Sequence, residues 1–201
     1  MNATTSTTNS YAPTLATHLA RGATHATLAP FLDALAVSER RAQILGLRGG
    51  QVRALYQALA DAPPLTPEAF WGNAPEGSTL IFEGRNSLPA ASRFQKRFCK
   101  GSGGEIVGYN HQSLSFATGP GFFVVGPGDE SHPGELLFDY TRPPPFVPEG
   151  WPPFRDNRRG LSRLVYFDMK DYCRPAAAGV VVGAAFKGGA AQNAYFVLVR
   201  A

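Results

Sequence analysis

The stretch SRFQKRFCKGSGGEIVGYNH, residues 92–111, decides how the second half of the chain folds. Read as a helix, it would put Arg93, Lys96, Arg97 and Lys100 on one face and end at Gly101. Read as a strand over Ser92–Cys99, it puts Phe94, Lys96 and Phe98 on one face. The loop Gly101-Ser102-Gly103-Gly104 favours the strand, because it would turn the chain back into a second strand, Glu105–His111, as a hairpin.

Working outward, the same texture fills the chain after residue 75. Short apolar or alternating runs over Thr79–Glu83, Phe122–Val125, Glu135–Tyr140, Val180–Phe186 and Ala194–Arg200 are parted by Gly119-Pro120-Gly121, Gly126-Pro127-Gly128-Asp129 and Gly188-Gly189. Strands at this spacing predict an antiparallel meander that closes into a barrel or packs as a sandwich; the expectation adopted is a lipocalin-like β-barrel, with a curved antiparallel sheet of α+β type as the alternative. Leu161–Cys173 has apolar residues at helical spacing, and reads as an extended entry turning into a short helix. The proline-rich segment Pro143–Pro153 is an extended loop whose Phe146 and Trp151 are expected to cover one end of the barrel.

Residues 14–75 are helical in pattern. Leu28, Phe31, Leu32 and Leu35 line one face, Ser38 can cap a second helix ending at Gly49-Gly50, and Val52, Leu55, Tyr56 and Leu59 mark a third. Thr66-Pro67-Glu68 reads as an N-cap with proline at the first helical position. Residues 1–13, rich in Thr, Ser and Asn and without charge, are expected to be a disordered tail. No stretch approaches the length of a membrane-spanning helix.

Composition narrows the function. The 22 glycines and 17 prolines, close to a fifth of 201 residues, oppose a helical bundle, and 14 Phe with 7 Tyr oppose disorder. The net charge of +4 permits an anionic partner without demanding one. Cys99 and Cys173 stand alone, with no ligand spacing for zinc, which predicts no metal site and fits a reducing, cytoplasmic setting. The glycine clusters lack the Gly-Lys-Ser/Thr of a phosphate loop and read as turns. There is no Gly-x-Ser-x-Gly nucleophile elbow.

Candidate site residues are polar groups on aromatic strands, where an inward charge is costly unless paired. They are Lys96, Arg97, Tyr109, His111, Asp139 and Tyr140. Lys96 shares a face with Phe94 and Phe98; Tyr140 shares one with Leu136 and Phe138; Asp139 lies on the opposite face. A Lys–Asp or Arg–Asp pair across the barrel wall is the structural alternative. His18, His25 and His132 are expected at the surface, and His111 is the candidate general base.

Phe94–Phe98, Gly108–His111, Thr118–Phe123, Asp139-Tyr140 and Met169–Arg174 resemble motifs of a broad group of uncharacterised bacterial proteins. The layout is more distantly similar to GXWXG-type proteins, of whose hallmark Phe70-Trp71-Gly72 is a partial echo, and to lipocalin-like and nitrobindin-like barrels. The resemblance implies a barrel and no particular reaction. Nitrobindin-like proteins hold haem through a late histidine; this chain has none after His132, so no cofactor is expected. The favoured function is binding of a small apolar or amphipathic molecule in a barrel cavity. The alternatives are an enzyme using the same cavity with His111 as base, and a weak nucleic-acid or anionic-surface binder using Arg93, Lys96, Arg97, Arg158 and Arg159.

Overall fold

The computed structural model describes residues 13–89, 92–111 and 119–201. The tail expected over residues 1–13 lies, apart from Pro13, outside them, as does Thr118. Eight strands close an up-and-down antiparallel barrel: β1 (Thr79–Asn86), β2 (Arg93–Lys100), β3 (Ile106–His111), β4 (Phe123–Pro127), β5 (Leu136–Asp139), β6 (Met169–Ala177), β7 (Val180–Lys187) and β8 (Ala190–Arg200). Each pairs with the next, and β8 returns to β1 with Gly84 opposite Leu198. This is the lipocalin-like barrel expected, and Ser92–Lys100 is a strand, hairpinned to β3 with Phe98 opposite Gly108. Closure removes both sheet edges, which would otherwise present unpaired backbone groups.

Two regions differ from expectation. The segment Leu161–Cys173 runs the other way round: a short helix comes first and strand β6 follows. Asp168, at φ 55°, breaks the chain between them. Its helical spacing was coincidental; Met169, Asp171 and Cys173 face into the barrel while Lys170, Tyr172 and Arg174 alternate outward to Asp129 and Glu135. In the N-terminal part, helices α1 (Leu15–Ala20), α2 (His25–Ala34), α3 (Val37–Leu45), α4 (Gly49–Ala58) and α5 (Pro67–Trp71) precede the barrel. Ala36, not Ser38, sits at the N-cap of α3. Gly49-Gly50 opens α4 instead of ending α3. The reason is space: a Cβ on Gly49 would lie 2.6 Å from the Ser87 carbonyl oxygen.

The helices coat one side of the barrel. Leu28, Leu32, Ile44, Val52 and Leu55 pack on the outward side chains of Val180, Val182, Val197 and Val199. Strands β7 and β8 are therefore buried on both faces there, which explains their unbroken apolar runs. On another side the proline-rich segment lies along the wall, with Trp151 edge-on to Tyr109 at 4.7 Å, so this aromatic covers the wall and not an end. Phe146 does sit at an end, against Gly101 in the β2–β3 turn.

That end is also the barrel's floor, closed by α5. Thr66 accepts a hydrogen bond from the Ala69 amide at 3.2 Å, and Pro67 occupies the first turn, as the sequence predicts. The helix delivers Phe70 into the barrel, with ring centroids 5.1 Å from Phe82 and 4.9 Å from Phe98. Phe123, Phe138 and the inward thiol of Cys173 continue this layer. An eight-stranded barrel is just wide enough for side chains to fill, and the lower half is filled.

Candidate functional site

The upper half carries what the lower half excludes. By strand alternation β2 brings Lys96 inward, β3 brings Asn110, β6 brings Asp171, and Tyr140 follows the end of β5. Their residues are 2%, 6%, 3% and 2% exposed, so four polar side chains meet without solvent. The Lys96 ammonium donates to Asn110 Oδ1 at 2.8 Å, to Asp171 Oδ2 at 3.1 Å and to the Tyr140 hydroxyl. Tyr140 donates to Asp171 Oδ2 at 3.1 Å, and the Asn110 amide donates to the Gly121 carbonyl at 3.2 Å. The three ammonium protons thus have three acceptors.

Aromatic rings surround the cation: Nζ lies 4.9 Å from the centroid of Phe123, 5.0 Å from Phe196 and 5.1 Å from Tyr140. Ring faces attract a cation at such distances. Burial nonetheless pushes the Lys96 amine below its ordinary value, with Asp171 opposing. Burial pushes Asp171 up, and it pushes the Tyr140 phenol far up, helped by the Asp171 charge.

Helix α6 (Ser162–Tyr166) forms a ceiling, with Tyr166 stacked on Tyr140 at 5.5 Å. Gly121, at φ 57°, permits this, since a Cβ there would lie 2.4 Å from Tyr166 Cζ. To the side, an open groove of about 830 Å³ runs between Ser38, Arg41 and Leu45 of α3 and the rim residues Glu83, Gly84, Arg93, Phe94, Gln95 and His111. Phe94 belongs to both spaces. Its ring lies over Gly84, where a Cβ would be 2.5 Å from Phe94 Cζ, and it packs against the core and faces Lys96 Nζ at 5.8 Å.

The six sequence candidates therefore separate. Lys96 and Tyr140 converge inside. Arg97, Tyr109 and His111 share the outer face, with Arg97 opposite Tyr109 and Gln95 opposite His111. Burial and then Arg97 push the His111 imidazole below its ordinary value. Asp139 faces out and shapes a turn, accepting from the Thr141 amide at 2.8 Å and its hydroxyl at 2.6 Å. His111 and Tyr140 lie on opposite faces of the wall, because β3 turns His111 outward and Asn110 inward, and among the described residues no groove is lined by both His111 and Asp139. The cationic set proposed for nucleic acid is also split, since Lys96 is interior. A Lys–Asp pair does form, with Asp171 as the partner, but it crosses the barrel interior from β2 to β6 and does not span the wall.

Asn110 and Asp171 were missed. Asn110 stood beside His111 in Gly108–His111, and Asp171 was hidden by reading its strand as helix. The other histidines are half-buried, not exposed: His18 packs 4.3 Å from Phe31, and His132 stacks on Tyr172 at 3.8 Å. Both cysteines are free and buried. Among the described residues no group of three or more His, Cys, Asp or Glu is placed to hold a metal ion, and no helix is long and apolar enough to cross a membrane. No family model, curated protein or solved structure matches the chain.

Proposed function

We propose that the protein binds a small amphipathic molecule at the upper end of the barrel. Its polar head engages Lys96 and its companions, and its apolar part lies against Phe94 and along the rim groove. The observation that carries this reading is a desolvated ammonium lying 5.8 Å from the ring of Phe94, a half-buried residue that also lines the open groove. With the floor filled and Tyr166 roofing the cluster, a ligand reaches Lys96 past Phe94. Because the three Lys96 protons already meet Asn110, Tyr140 and Asp171, the ligand's head displaces one of these acceptors, and an anionic or carbonyl-bearing head does that where a cation does not. Each motif segment behind the resemblance to bacterial barrel proteins contributes to this end: Lys96, Asn110, Gly121, Tyr140 and Asp171 each come from a different one. That supports membership in the group as a further part of the proposal.

Native mass spectrometry of the protein as purified, with anilinonaphthalene sulfonate as an anionic fluorescent probe, tests the reading. The wild type should retain a small molecule or bind the probe. The paired variant Lys96→Met/Asp171→Leu, which leaves no buried charge, should lose at least tenfold in probe affinity. Equal binding by the two proteins, or none by the wild type, would refute the assignment. Catalysis on the bound molecule is the second reading, favoured by the place of His111 on the groove wall; His111→Gln should then preserve binding while a bound substrate persists unconverted.

A further inference from the structure

Helix α6 is amphipathic in the wrong sense for a surface helix. Its Ser162 and Tyr166 face the barrel and are buried, as i and i+4 residues on one face should be. The opposite side should be polar. Instead Leu164 is 72% and Leu161 54% exposed, with Val165 and Phe167 also in solvent and Phe154 beside them. Arg155, Arg158, Arg159 and Arg163 stand exposed among these apolar side chains. Two carboxylates lie nearby: Asp156, which is paired with Arg158 at 3.0 Å, and Asp168, just beyond the helix. A groove of about 580 Å³ runs between Phe154, Arg155, Arg159 and Leu161. The chain order of the strands places this patch at the same end as the β1–β2 hairpin, where Leu88 is 51% exposed.

We propose that residues 154–167 dock the barrel's upper end on an anionic phospholipid surface. Charge complementarity selects this occupant. Cationic side chains encircling protruding apolar ones match a negative headgroup layer above an acyl boundary, where leucines enter a few ångströms and arginines meet phosphates. A protein partner would call for a broad flat apolar seat; here Leu164 and Val165 project from one short helix, with Leu161 and Phe167 at its two ends, and arginines stand between them and Phe154. The patch is separate from the interior site, and the docking does not rest on the ligand reading, although Tyr166 on the inner side of the same helix roofs the Lys96 cluster.

The test is co-sedimentation of the full chain with phosphatidylcholine vesicles and with vesicles containing about one-third phosphatidylglycerol. The wild type should pellet with the anionic vesicles only, and less as salt is raised. Arg159→Ala/Arg163→Ala should weaken binding about 30-fold, since each surface cation near an anionic leaflet contributes about fivefold. Leu164→Glu should weaken it at least tenfold with the thermal melt unchanged. Failure to pellet, equal pelleting with neutral vesicles, or unchanged binding by Leu164→Glu would overturn the proposal. So would a wild-type dimer in sedimentation velocity that Leu164→Glu dissociates while neither protein binds vesicles.

Discussion

Replacing Lys96 by methionine is the sharpest test of how the upper barrel is held. Methionine refills most of the stem but removes the ammonium from Asn110, Tyr140 and Asp171. Hydrogen bonds to a charged group contribute about 1.5–3 kcal/mol each. Against that stands the desolvation of the lysine itself, which the substitution relieves. The balance is governed by what remains: Asp171, 3% exposed and without its counter-charge. Breaking a buried pair from one side costs about 3–5 kcal/mol, so Lys96→Met should lose that much, or about 10 °C in melting temperature. Asp171→Leu should lose a similar amount by stranding the lysine. The double variant should come within about 1 kcal/mol of the wild type, because apolar replacement of a whole buried pair is near neutral or stabilising.

The loss in Lys96→Met should also depend on pH. Burial already raises the folded-state value of Asp171 above its ordinary one, and loss of the lysine removes its charge and its hydrogen bond, leaving the Tyr140 hydrogen bond to oppose that rise. A raised folded value means the native state holds the proton longer. Stability is then fully present below the ordinary carboxylate value, about 4, and falls as pH rises through the folded value. Urea melts of the four proteins at one acidic and one neutral pH supply the measurement. A single-variant loss below about 1 kcal/mol, or a double variant as unstable as the sum of the singles, would refute the reasoning.

Two further outcomes follow from geometry already described. Phe70→Ala removes the floor ring that contacts Phe82, Phe98 and Phe138, and should cost about 3–5 kcal/mol. The same variant should gain thermal stability on adding benzene, and no shift would mean that the floor had collapsed. Tyr172, pushed up to about 12 by burial and by its hydrogen bond to Asp129, should titrate partway back toward an ordinary phenol in Asp129→Asn, as followed by ultraviolet absorbance. An unchanged midpoint would remove Asp129 from the account.

The barrel was legible because its strands obey a period of two wherever one face meets solvent or a thin cover. Phe94, Lys96 and Phe98 fell on one face by that rule, and the alternation itself raised the question of a buried lysine. Strand β6 failed the rule at Asp171, where a charge occupies an inward position that pattern reading assigns to an apolar residue. Only the spatial meeting of β2 with β6, across the barrel and 75 positions apart in the chain, gives that aspartate a reason to be there. Gly49 shows the same limit from the other side. Its lack of a side chain looked like a helix stop, but it answers to the Ser87 backbone, a contact that no local window contains.

Cys173 lies on the inner wall between the floor rings and Asp171, and Gly183 faces it so closely that a Cβ there would come within 2.8 Å of its sulfur. Burial, followed by the Asp171 charge, keeps this thiol protonated. While the barrel is closed the sulfur is therefore inert to oxidants and alkylating reagents, which act on the exposed thiolate. Each covalent modification of Cys173 must record an excursion in which the barrel parts. The chain thus carries its own recorder of rare openings.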